Sequence, residues 1–263
     1  MSEKVHFLSL GCGILFDNKE KIMCDPEKLN EQKLSIPMII ILGLAPGVVI
    51  LLLAFVFSSP IFGINFNILL ALLMAIFFGL IPVELGILKF IARKENKKIK
   101  DIILYKNKTP VKKLLLSIII PFIIASLAFV FISPYEVKLW KIFDFIPDWF
   151  RLDKVNLPEI KYLKKTLILT LLFNGFFGPI VEEIYFRGYL LPRMGVFGKL
   201  APLVNAIIFS IYHLFTPWQN ITRIIGVTPM VYSVWINKDI RIGIFVHCLL
   251  NTFGNIAMIT VLL

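Results

Sequence analysis

Seven long apolar stretches limit what this chain can fold into. They are Ile36–Phe57, Asn67–Ile91, Leu114–Ile132, Thr166–Leu190, Leu200–Phe215, Ile224–Ile236 and Ile242–Leu263. About 20 apolar residues in a helix reach across the hydrocarbon of a bilayer. No water is available there to satisfy backbone N–H and C=O groups, so each stretch is expected to be helical. The sixth stretch is short, which fits a tilted, broken or re-entrant segment. The predicted fold class is therefore all-α: a polytopic transmembrane helical bundle of about seven to eight helices. Composition agrees, with 58% hydrophobic residues, 17% charged residues and a mean hydropathy of +0.83. An ordinary soluble domain has about 45–50% apolar and about 25% charged residues.

The formal net charge of +11 raises nucleic acid as a partner. The distribution of the charge argues against it. Nine Lys and Arg residues fall within Ala92–Lys113, opposed only by Glu95 and Asp101. Basic residues beside spans mark the cytoplasmic side. Alternating from that loop puts the N-terminus in the cytoplasm. The expected layout is an N-terminal cytoplasmic segment, 1–35, and a single transmembrane domain, 36–263. One segment strains this alternation. Ser133–Lys165 falls on the outer side yet holds seven Lys and Arg against five acids. Its "LWKIFDFIPDWF" mixes aromatics with charges, as an interfacial amphipathic segment around 136–150 would. The Lys-, Ile-, Asn- and Phe-rich composition points to a prokaryotic plasma membrane. Cys12, Cys24 and Cys248 form no C-x-x-C pair and no zinc spacing.

Charged residues inside spans are rare and are functional by default. The C-terminal half has a set of polar residues inside apolar runs: Glu182, Glu183, Arg187, His213, His247 and Asn251. Glu183 and Arg187 stand at i, i+4 in the order that favours an ion pair. Glu182 lies about 100° away around the same helix, and its own i+4 position is the apolar Phe186. Glu182 is thus a carboxylate without a local counter-charge, a candidate general base. His213 follows an apolar run, with Phe209 one turn earlier on the same face. His247 and Asn251 are again one turn apart, so both can donate hydrogen bonds to one developing oxyanion. A base, an imidazole that orients water and two donors make the inventory for hydrolysing an acyl bond with activated water. No G-x-S-x-G motif offers a serine nucleophile.

"EEIYFR" fits E-E-x-x-x-R, "FSIYH" fits F-x-x-x-H and "HCLLN" fits H-x-x-x-N. In this order, across successive apolar helices, they resemble the three motifs of the CAAX prenyl endopeptidase and bacteriocin-processing family, also called the Abi family. These are glutamate-dependent intramembrane proteases. The resemblance spans Phe173–Phe253 and implies a catalytic core in 166–263. It implies that Glu182 and His213 activate water, that His247 and Asn251 stabilise the oxyanion, and that Glu183 and Arg187 hold the site together. Phe209 is expected to pack. The implied activity is that of an endopeptidase acting near the membrane without a metal cofactor, on a peptide or protein substrate, prenylated or not.

Two other classes stay open. Glu182, His213 and His247 could ligate zinc in a membrane hydrolase, since three N/O ligands plus water is an accepted catalytic set. Against this, the chain has no H-E-x-x-H, and Asn251 is left without a task. A non-catalytic immunity or transport protein could use the same polar cluster to bind a ligand.

Overall fold

The structure is a computed structural model that describes residues 33–262, apart from 65, 152–153 and 155–162. Most of the expected segment 1–35, together with Cys12 and Cys24, therefore lies outside the described residues. The described chain is helical, without a named strand. Helices α1 (Ile36–Ser58), α2 (Ile68–Ala75), α3 (Ile81–Lys94) and α4 (Ile99–Ile102) come first. Then follow α5 (Val111–Trp140), α6 (Leu163–Leu172), α7 (Gly178–Glu183), α8 (Ala201–Tyr212), α9 (Asn220–Asn237) and α10 (Ile240–Leu262). A π-helical turn, Ile76–Leu80, joins α2 to α3 in one rod. Two more, Phe173–Phe177 and Ile184–Leu190, flank α7 in another.

Among the described residues, six helices are long and apolar enough to cross a membrane. They correspond to six of the seven expected stretches. The seventh, Ile224–Ile236, lies inside α9, which falls short in hydropathy because Asn220, Arg223 and Asn237 dilute it. Instead α9 packs against α5 and α8 inside the bundle. The expected interfacial segment is divided. α5 runs on to Trp140, well past the expected end at Ile132, and is followed by 3₁₀ turns at Lys141–Phe143 and Asp148–Phe150. Pro147 precedes the second turn, where a continuing helix would need its N–H. Ile142 and Phe145 nevertheless face outward. Much of the outer surface is apolar, with Ile41, Leu52, Val130 and Phe131 among the exposed side chains. That is the surface a lipid-facing bundle requires.

Two packing features position the functional side chains. Helix α1 meets α8 at Gly43 and Gly47. A Cβ on Gly47 would overlap the carbonyl oxygen of Tyr212, so only glycine allows this approach of backbone to backbone. The contact fixes the end of α8, one residue before His213. At the opposite end of α9, Lys238 adopts a left-handed conformation (φ 53°) and turns the chain into α10. The residues before α5 clamp that turn. Asn107 N–H donates to the Lys238 carbonyl at 2.9 Å, and Thr109 N–H to Asp239 Oδ2 at 3.0 Å. α10 is thereby held in register with α9, which sets the depth of His247.

Candidate active site

Glu182 and Glu183 end α7, between the two π-helical turns. A π turn carries one extra residue and is often found at functional sites. Glu183 and Arg187 have no solvent exposure, and Glu182 has 4%. The expected ion pair forms, with Arg187 Nη1 2.9 Å from Glu183 Oε1. The guanidinium also lies over the Phe209 ring, 4.0 Å from its centroid. A cation on a desolvated ring face gains about 2 kcal/mol or more. Room for Glu183 comes from α10, where a Cβ on Gly243 would collide with Glu183 Oε2.

The two histidines converge on Glu182 from different elements. His213 Nε2 is 3.9 Å from Glu182 Oε1, and His247 Nε2 is 3.7 Å from Glu182 Oε2. Their other ring nitrogens are committed. His213 Nδ1 lies 2.8 Å from the Phe209 carbonyl oxygen. A carbonyl can only accept, so Nδ1 carries the hydrogen, and neutral His213 turns a lone pair at Nε2 towards Glu182. His247 Nδ1 lies 3.0 Å from Glu183 Oε1. Glu183 Oε1 is the acceptor shared by Arg187 and His247, so Nδ1 of His247 also carries a hydrogen. Phe209 does more than fill space. Its ring sits edge-on to His213 at 4.8 Å and to His247 at 5.6 Å between centroids, while Arg187 lies over it. It is the common floor of the cluster.

Asn251 lies one turn after His247, as the spacing requires, and its Nδ2 donates to the Asn174 carbonyl at 2.9 Å. One of its two N–H groups is thus taken up in holding α10 against the π turn Phe173–Phe177. Among the described residues, no group of three or more His, Cys, Asp and Glu side chains is placed to hold a metal ion.

One further residue belongs to this cluster and lies in none of the three motifs. Glu84, from α3, is fully buried, and its Oε1 is 3.0 Å from the Tyr212 hydroxyl. The signal for it was a single carboxylate within "IPVELG", inside an apolar run, the same signal that marks Glu182.

No curated protein and no solved structure gives a match to the chain. A family comparison does. All three motifs fall within it, and the chain is an integral membrane protein whose residues 164–253 match the family described as type II CAAX prenyl endopeptidase Rce1-like.

Proposed function

We propose that this protein is an intramembrane endopeptidase in which Glu182 and His213 activate a water molecule. The observation that carries this reading is the 3.9 Å separation of Glu182 Oε1 and His213 Nε2. Two acceptors cannot bond each other, and a polar gap wider than 3.5 Å calls for a bridging water. Such a water donates one hydrogen to Glu182 and one to His213, which turns its oxygen lone pairs towards a substrate carbonyl. Attack forms the C–O bond as Glu182 takes the proton, and the carbonyl electrons move onto oxygen. His247 is bonded through Nδ1 to Glu183. With a proton also on Nε2 it is an imidazolium that faces this oxyanion, and the remaining N–H of Asn251 can add a second donor. When the intermediate collapses, the C–N bond breaks and the proton held on Glu182 goes to the leaving amine.

The charges balance in this scheme. Glu182 and Glu183 are offset by Arg187 and His247, with His213 neutral and Arg223 facing Glu136 as well as Glu182. The substrate is a peptide or protein at the membrane, and the family match makes prenylated C-terminal sequences the first class to test. The test is cleavage of prenylated and unprenylated peptides by purified protein in lipid vesicles, wild type against Glu182→Gln, with and without a strong chelator. Cleavage by wild type alone, unaffected by the chelator, is expected. Activity lost to the chelator and restored by zinc would instead support a metal hydrolase using Glu182, His213 and His247. Cleavage undiminished in Glu182→Gln would overturn both.

A further inference from the structure

Glu84 lies outside the matched segment, in a different rod from every motif. It is fully buried, and among the described residues no basic side chain stands within ion-pair distance of it. Its Oε2 has no hydrogen-bond partner there either. Three carboxylates, Glu183, Glu182 and Glu84, face the guanidinium of Arg187. An isolated ionised carboxylate in an apolar interior is so costly that it takes up a proton instead. In the scheme above Arg187 and His247 offset only Glu182 and Glu183, and Arg223 faces Glu136 first, so an ionised Glu84 would leave one uncompensated negative charge. Glu84 is therefore the member that stays protonated.

The neighbour of Glu84 gives this proton a consequence. Tyr212 is fully buried, and its ring is held against Phe186 at 5.0 Å and His213 at 5.0 Å between centroids. Its hydroxyl contacts Glu84 Oε1 and also faces the Glu182 carboxylate. A hydroxyl has one hydrogen to give. If Glu84 donates to the phenol oxygen, the phenol hydrogen is free for Glu182. We infer that Glu84 is a positioning residue that, as a neutral acid, turns the Tyr212 hydroxyl towards Glu182 and so favours the ionised form of that carboxylate. The inference rests on Glu182 being the base proposed above. The other groups facing Glu182 are Glu183, Arg187, His213, His247 and Arg223.

Two measurements test this. The first needs no turnover: infrared spectra at neutral pH, which report the carbonyl stretch of a protonated carboxylic acid. Wild type is expected to show such a band, retained in Glu182→Gln and lost in Glu84→Gln. A wild type without the band, or a band lost only in Glu182→Gln, overturns the inference whatever the enzyme does. The second is the pH profile of kcat in vesicles. Tyr212→Phe and Glu84→Ala should move the acid limb upward by about one pH unit, the equivalent of one hydrogen bond to a charged group, with KM unchanged. Glu84→Gln should restore the limb, because its amide N–H can replace the acid as donor to Tyr212. A limb that stays put in Tyr212→Phe, while Glu182→Gln is inactive, sinks the relay and leaves the base assignment standing. An active Glu182→Gln sinks the base assignment itself. Equal damage from Glu84→Gln and Glu84→Ala, in variants with wild-type melting behaviour, would show that an ionised Glu84 is needed and would also overturn the inference.

Discussion

Asp239 and Glu182 are both acids with almost no exposure, at 1% and 4%, yet their surroundings are opposite. Asp239 is saturated. It accepts from Thr109 N–H at 3.0 Å and from Arg241 through the backbone N–H at 3.1 Å, Nε at 2.9 Å and Nη2 at 2.6 Å. Glu182 faces two imidazole nitrogens at 3.7 and 3.9 Å, each of them on a histidine already engaged on its far side. A carboxylate that has used every lone pair on its neighbours holds a turn together and has little left for a substrate. One that is enclosed but unfilled keeps capacity for a water and a proton. The difference lies in how the bonds are spent rather than in residue type or depth, and it separates the structural acid from the reactive one.

The largest test of this contrast is Glu182→Gln. It should cut cleavage by about 10³-fold or more, the range of general-base catalysis, while leaving the melting temperature close to wild type. Glu183→Gln should do the reverse in kind. It orphans Arg187 in the bundle interior, and breaking a buried ion pair costs about 3–5 kcal/mol, read as a lowered thermal midpoint in detergent. If the effects of the two glutamates came out exchanged, their assignments would be wrong. His247→Ala should lower kcat by about 10²-fold with little change in KM, as expected for an oxyanion donor. Asn251→Ala should have a smaller effect, because part of its amide serves the Asn174 contact. Asp239→Asn should leave turnover intact and lower stability by about 2 kcal/mol, through the loss of charge-assisted hydrogen bonds.

Asp239 also makes a prediction about pH. Burial works to raise its carboxyl, but the hydrogen bonds from Arg241 and Thr109 outweigh it and hold the group at about 2, against an ordinary 3.8. A carboxyl depressed in the folded state contributes its full stability above the unfolded value. That contribution should therefore be present above pH 3.8 and fade as pH falls towards about 2. Melting temperatures across this window should fall more steeply for wild type than for Asp239→Asn.

The rods, the Glu183–Arg187 pair and the one-turn relation of His247 to Asn251 follow from spacing along single helices, and spacing is what a sequence displays. The bond from His247 to Glu183 joins residues 64 positions apart, and that from Asn251 to Asn174 joins residues 77 apart. Such contacts depend on how helices rotate against one another. The π turns around α7 change that rotation, and nothing in "FNGFF" or "IYFRGYL" announces them. Phe209 was expected to pack and does, but its contacts with a guanidinium and two imidazoles emerge only when three elements meet. Glu84 is legible as an intramembrane acid, but it stands apart from the motifs, so its place in the cluster emerges only from the packing of α3 against the site. The expected N-terminal cytoplasmic segment, 1–35, falls mostly on residues that the structure does not describe.

Gly47 carries a last consequence. The backbone just before His213 leans on a helix more than 160 positions earlier in the chain, through a contact with no space for even a methyl group. The motif-bearing third is thus not a detachable cassette. Expressed from residue 164 onward, it would lack both the wall behind its histidine and the acid beside its tyrosine.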